Sequence, residues 1–318
     1  MSKILVVGSV AYDSVITKNA EASNILGGSA THFSVSASFF TDTSLVACVG
    51  RDFSRRDHEF LESRDIDLQG LQYLEGETFR WTGDYTENFN QAKTLDTQLN
   101  VLANFQPMIP KTHQNHRYVF LGNIDPKLQQ SVISQVKTPR IVAADTMNYW
   151  IESARESVLQ VLRLVDVLLI NDGEARQLAE ETTLVAAAHK ILSYGPSTLV
   201  VKLGEYGACL YQKTGDGLSV FGVPAYPLKK VCDPTGAGDT FAGGFMGYLA
   251  AMDRADLAAM RKAVVFGSVM ASFNVEDFSL DRLRNLTFQE VCSRYHEFEK
   301  LTAFNPISPQ DQFKSMTK

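Results

Sequence analysis

A chain of 318 residues is long enough to bury one substantial core, and 45% apolar with 21% charged residues is ordinary globular composition. The formal charge of −6 is spread without any block of like sign, which argues against a nucleic-acid surface. The apolar runs are too short for a signal peptide or membrane span. Cys48, Cys209, Cys232 and Cys292 lack CxxC or His-paired spacing, so they read as reduced thiols of a cytoplasmic protein, not zinc ligands.

KILVVGS (3–9) is a short apolar run closed by Gly-Ser, the pattern of a buried first strand. GSATHFSVSASFF (28–40) sets Phe33, Ala37 and Phe40 at helical spacing with Ser29 available as a cap, and SLVACVG (44–50) reads as another strand. From about 70 to 92 the rhythm breaks. TFRWTGDY (78–85) alternates aromatic and polar residues, punctuated by Gly76 and Gly83, which predicts exposed antiparallel strands. Beyond it, the strands RYVFLGN (117–123), RIVAADT (140–146), DVLLIND (166–172) and STLVVKLG (197–204) alternate with the helical stretches LQQSVISQV (128–136), ESARESVLQVLRL (152–164) and EARQLAE (174–180). ACLYQ (208–212) pairs with LSVFGV (218–223). This alternation predicts an α/β fold with a mainly parallel sheet covered on both faces and a lid inserted near residue 80. Ligands of such sheets bind beyond the carboxyl ends of the strands, where Gly8-Ser9, Asp145, Asn171, Gly204 and Asp233 all fall.

The densest stretch is DPTGAGDTFAGGF (233–245), glycines first and a small-residue helix after them. Gly236 and Gly238 let the chain turn, so that the amides of Ala237, Gly238 and Asp239 stand at a helix N-terminus and favour negative charge. No lysine follows, so this is not a GxxxxGK[ST] loop, and GSVAYD after the first strand lacks the second and third glycines of a dinucleotide fingerprint. An aspartate in a first helical turn has an ordinary explanation as a partner of the dipole. Gly243, Gly244 and Gly247 do not, because a glycine within a helix costs about 1 kcal/mol relative to alanine.

DPTGAGDTFAGGF resembles the C-terminal signature of the ribokinase/PfkB family of carbohydrate and nucleoside kinases. The order of other elements matches too: GSVAYD with Asp13, Gly27-Gly28 before a helix, NDGE with Asn171 and Glu174, and a strand ending at Gly204 and Gly207. The resemblance implies a three-layer α/β/α sandwich with a small β lid. It places a kinase domain at 1–304, lid pieces at about 10–26 and 70–105, and a polar tail at 305–318. It also implies transfer of the γ-phosphoryl group of ATP, with Mg²⁺, to a hydroxyl of a sugar or sugar derivative, a nucleoside being the alternative acceptor. A catalytically silent binding protein on the same scaffold is disfavoured, because Asp239, the glycines and N-x-x-E occur together.

In that reading Asp239 is the general base, and Gly236, Ala237 and Gly238 form the anion hole with it. Asn171 and Glu174 order water around Mg²⁺, although the same pair is also a capping box. Asp13 accepts two substrate hydroxyls, and Gly28 and Ser29 approach the same substrate. His32 stands where many members carry Asn, so it is either a substrate contact or a satisfied structural histidine. Asn148 of DTMN is a candidate for substrate or phosphate, and Asp145 either joins it or ends its strand. Lys202, Gly204, Gly207, Thr235 and Asn274 are assigned to the nucleotide side. Some members bind a monovalent cation near the Asp233 and Thr235 loop. The lid, with Phe79 and Trp81, closes over substrate or forms a homodimer.

Overall fold

The computed structural model describes residues 3–306. ILVV, apolar throughout, forms β1 (Ile4–Val7) with a strand on each side, and its alternate side chains feed two separate cores. Ile4 and Val6 join one core, Leu5 and Val7 the other, as expected when both faces of a parallel sheet are covered. The chain leaves this sheet for β2 (Ala11–Ile16) and β3 (Glu21–Gly27), then returns through the helix Ser29–Ala37 to β4 (Thr43–Val49) and β5 (Ile66–Tyr73). After β6 (Phe79–Asp84) and β7 (Lys93–Gln98) come β8 (Tyr118–Leu121), β9 (Ile141–Ala144), β10 (Val167–Asn171) and β11 (Thr198–Lys202). The hairpin β12 (Ala208–Thr214) and β13 (Gly217–Val223) follows.

Among the described residues the large sheet has the order β13-β12-β11-β10-β9-β8-β1-β4-β5, parallel from β11 to β5, and the small sheet has the order β3-β2-β6-β7. The lid therefore begins later than expected. Residues 70–73 belong to β5 on the edge of the large sheet, where a side chain at Gly70 would come within 2.7 Å of the Leu45 carbonyl. The lid is also not wholly antiparallel, since β2 and β6 run in parallel. The helix expected over 152–164 breaks at Ala154, whose φ of −139° and ψ of 35° separate Asn148–Ser153 from Arg155–Leu162. Helices not foreseen include Arg55–Ser63, Leu184–Tyr194, Leu257–Asn274 and Phe288–Thr302. Leu184–Tyr194 carries a readable signal, with Thr183 capping Ala186 and Ala187, Ala188, Ile191 and Leu192 on its buried face. Arg55–Ser63 buries only Leu61, and its readable signal is the start, where Ser54 Oγ accepts the Asp57 amide at 3.1 Å. Of the expected tail, residues 307–318 lie outside the described residues. No helix among the described residues is long and apolar enough to cross a membrane.

The glycines after Asp239 are explained by packing. In the helix Ala237–Met252, a side chain at Gly243 would overlap the Phe33 carbonyl, and one at Gly244 would come within 2.8 Å of the Phe266 carbonyl. This helix is thus wedged between Ser29–Ala37 and Leu257–Asn274 at near backbone contact. Ser36 Oγ completes the junction by donating to the Thr240 carbonyl at 2.7 Å. Close packing fixes the helix that begins at the glycine loop relative to the helix that begins at Gly28.

Candidate active site

Three anchors hold the glycine loop. Asp233, fully buried, accepts the Thr235 amide at 2.8 Å and the Ser279 amide at 3.1 Å. Gly236 takes φ +72°, and its Cα rests on the His32 ring so closely that any side chain would run into it. The third anchor is Asn274, whose Oδ1 accepts from Thr240 Oγ1 at 2.9 Å and whose Nδ2 donates to the Thr235 carbonyl at 2.8 Å. His32 Nδ1 lies 3.0 Å from that Oδ1 and must carry the proton, because Oδ1 only accepts. Burial pushes the His32 imidazole down to about 4, so it is neutral. His32 and Asn274, 1% and 0% exposed, present no polar atom to solvent. Both residues brace the loop, and His32 Nε2 is left buried without a hydrogen-bond partner. The Ala237 amide, expected in the anion hole, donates to the Pro234 carbonyl at 3.2 Å.

At the ends of β9, β10 and β11 the charges converge. Lys202 Nζ pairs with Asp145 Oδ2 at 3.0 Å, while Asp145 Oδ1 accepts the Thr146 amide at 2.8 Å. The same ammonium faces the loop, since a side chain at Gly238 would lie 2.9 Å from it. Burial alone would lower the Lys202 ammonium, but Asp145, Glu174 and Asp239 outweigh that and leave it raised. Burial, then the charge of Asp145, pushes both Asp239 and Glu174 up to about 7. Glu174 also completes a capping box, with its amide on Asn171 Oδ1 and its Oε2 on the Asn171 amide, both at 2.8 Å. Asp145 is the residue sequence reasoning undervalued here. A strand-end Asp one strand from a strand-end Lys was the available signal.

Asn148 is exposed at the start of the helix Asn148–Ser153. Gly204 and Gly207 flank a short turn with φ +57° and +99°. The surroundings of both are protein: Asn90 from the lid covers Gly204, and the Val223 carbonyl covers Gly207.

On the other side of Asp239 lies the lid. Asp13 is 5% exposed at the middle of β2, and burial followed by the charge of Asp233 pushes it up to about 7. Its carboxylate fills the space over Gly27, leaving no room there for a side chain. Ser9 and Ser29 exchange bonds across the turn, with Ser29 N on Ser9 Oγ at 3.0 Å and Ser9 N on Ser29 Oγ at 3.1 Å. Trp81 is in register with Asp13, so the two share one face of the lid, while Tyr12 and Arg80 share the other in a cation–π contact of 5.5 Å. Trp81 meets Tyr85 edge-on at 6.5 Å, and the Tyr85 hydroxyl accepts from Thr235 Oγ1 at 3.4 Å. Tyr85, the residue after β6, was missed because nothing local marks a loop tyrosine as reaching the glycine loop.

The residues fit a magnesium–nucleotide. Asp145, Glu174 and Asp239 supply only hard oxygen donors, and the charge of Asp145 raises the affinity of the other two for positive charge, which suits a cation that keeps its waters. Among the described residues no group of three or more His, Cys, Asp or Glu side chains is arranged to hold a metal ion directly.

A doubly covered parallel sheet, a lid over one end, and a half-buried aspartate in the first turn of a glycine-turned helix define the ribokinase fold. A family model described as pfkB family carbohydrate kinase matches residues 1–283, and the chain belongs to that family. It is an ATP-dependent kinase with an alcohol group as acceptor. A cytidine kinase of Thermococcus kodakarensis is 27% identical over 251 residues, covering 77% of this chain and 88% of that protein. The crystal structure of the Methanocaldococcus jannaschii nucleoside kinase superposes with a TM-score of 0.73 at 22% identity, covering 93% of this chain and 99% of that one. An Escherichia coli ribokinase II in complex with ATP and Mg²⁺ gives a TM-score of 0.75 at 17% identity, with coverages of 93% and 99%.

Proposed function

We propose that this kinase acts on a nucleoside, with Asp239 as general base. The observation that carries the acceptor class is the shared lid face of Asp13 and Trp81, with Tyr85 edge-on to the indole. A carboxylate beside an aromatic corner suits a ribose diol attached to a planar base, the first by paired hydrogen bonds and the second by ring contact. Asp13, Asp233 and Asp239 make this end of the cleft acidic, which disfavours a phosphorylated or acidic sugar. The cytidine and nucleoside kinases among the relatives support the same acceptor over the sugar favoured by the sequence reading.

In the reaction, the acceptor hydroxyl gives its proton to the Asp239 carboxylate as its oxygen bonds the γ-phosphorus and the bond to the ADP oxygen breaks. Such base assistance contributes typically about 10²–10⁴ in rate. Lys202, which faces Gly238, and the Gly238 amide would stabilise negative charge on the transferring group, and Asn171 and Glu174 would hold the hydrated magnesium ion. Magnesium supplies neutralisation of phosphate charge. His32 and Asn274 keep the Gly236 turn in place, and Trp81 and Tyr85 exclude water from the acceptor.

The test is ADP release with Mg-ATP across a panel of nucleosides, free sugars and sugar phosphates, with Asp239→Asn as control. Nucleosides should turn over best, and the control should bind ATP but lose at least about 10²-fold in kcat. Turnover confined to sugars would overturn the acceptor class, and a fully active control would overturn the base.

A further inference from the structure

The connection 85–92 between β6 and β7 runs from the acceptor side of the cleft to its far side and touches both. Its first residue, Tyr85, is fixed to the lid through its amide on the Ile16 carbonyl at 2.8 Å. The Tyr85 hydroxyl reaches Thr235 of the glycine loop at 3.4 Å. Five residues later Asn90 lies on the turn after β11. The Glu205 amide donates to Asn90 Oδ1 at 3.4 Å, and Asn90 Nδ2 donates to Glu205 Oε1 at 3.5 Å. The fit is close, because any side chain on Gly204 would overlap the Asn90 amide. The loop is braced internally by Asn88, whose Oδ1 accepts the Asn90 amide at 2.8 Å and whose carbonyl accepts the Gln91 amide at 3.3 Å.

The Gly204–Tyr206 turn has little reason of its own to hold one shape. It is a three-residue 3-10 turn between two positive-φ glycines, its Tyr206 ring is 74% exposed, and it follows directly on Lys202. Asn90 is the contact from outside that bears on the Gly204–Glu205 peptide. A ligand that orders this turn must therefore also fix Asn90, and through the connection it must restrain Tyr85 beside Asp13 and Asp239.

We propose that Asn90 and Tyr85 are positioning residues that tie the lid to the nucleotide side of the cleft, so that bound nucleotide orders the 85–92 connection before the acceptor arrives. The inference rests on the kinase reading above, and on the sequence-based assignment of Lys202, Gly204 and Gly207 to the nucleotide side. It gives Gly204 a specific duty, to admit Asn90, in addition to any approach of the nucleotide.

Hydrogen exchange on the full chain tests this without an acceptor. Mg-ATP alone should slow amide exchange across 85–92 and 203–207 together, by at least about fivefold, a coupling of ordinary allosteric size. In Asn90→Ala the 203–207 protection should remain while that of 85–92 disappears. Asn90 is exposed, so the variant should melt with the wild type, and Asn90→Asp, which sets a carboxylate against Glu205, should behave the same way. Tyr85→Phe should keep the protection of 85–92 at its Asn90 end and lower kcat with little change in KM for ATP. Equal protection of 85–92 in wild type and Asn90→Ala would overturn the proposal, as would protection of 203–207 alone in the wild type. Calorimetry on the same samples separates the two readings: ATP that binds without moving 85–92 refutes the tie, and ATP that fails to bind refutes the nucleotide site and the tie together.

Discussion

Lys202 Nζ stands 3.0 Å from Asp145 Oδ2 and faces the Cα of Gly238, so the end of β11 brings a cation to a glycine loop that has no lysine of its own. The pair is buried, with side chains 17% and 8% exposed, so removal of either partner leaves a charge without compensation.

Lys202→Met should therefore lower kcat/KM for ATP by about 10²–10³, the range seen when one donor to a developing anion is removed. A steady-state rate within threefold of the wild type would place the cation outside the reaction.

The pH dependence follows from Asp239, which is held up to about 7 first by burial and then by Asp145. A general base works ionised. Log kcat/KM should fall with unit slope below about pH 7 and be flat above it, until other groups titrate. Lys202 opposes the rise in Asp239, so Lys202→Met should move this acid limb to higher pH. A limb that stays in place in the variant would mean that another group controls it.

Asp13 trades stability for binding. Its carboxyl is raised to about 7 from 3.8 by burial and then by Asp233, so the folded protein binds more protons than the unfolded chain in that window. Stability is therefore lost as pH rises through it. Asp13→Asn removes the charge and should melt several degrees above the wild type at pH 8, with the gap closing as pH falls toward 4. The same variant should bind acceptor at least about 10-fold more weakly, because an amide cannot accept two hydroxyl donors in the same way. A lower melting temperature at pH 8 would contradict the sign.

Gly243→Ala separates helix propensity from packing. Propensity favours alanine by about 1 kcal/mol. The new methyl would overlap the Phe33 carbonyl and lie 2.7 Å from Ser36 Cβ, both on the facing helix. Overpacking should win, giving a net loss of about 1–3 kcal/mol by urea denaturation. Because the two helices carry Asp239 and Gly28 at their starts, kcat should fall as well. A more stable variant would show that the helices can part without cost.

Periodicity, caps and turn chemistry act over a few residues, and what they govern was legible in the linear chain. That holds for the all-apolar β1, the alternation that builds a parallel sheet, the Gly236 turn into a helix, and the Asn171–Glu174 box. The family motif placed Asp239 at that helix start in the same way. The partners that give these residues their setting were not legible, because they meet only once the sheet and helices have packed. His32 and Asn274 are 242 positions apart, and their hydrogen bond joins the helices Ser29–Ala37 and Leu257–Asn274 beneath the glycine loop. Lys202 and Asp145, 57 apart, meet because β11 and β9 flank β10 and end on the same edge. Tyr85 and Thr235, 150 apart, meet because β6 pairs with β2 and carries the lid over the glycine loop. The sequence by itself determined the fold class and the aspartate in the first turn of the helix Ala237–Met252. Only the tertiary structure decided where its counter-charge comes from and which buried side chains hold the loop, since burial and close approach raise or lower these groups through neighbours remote in the chain.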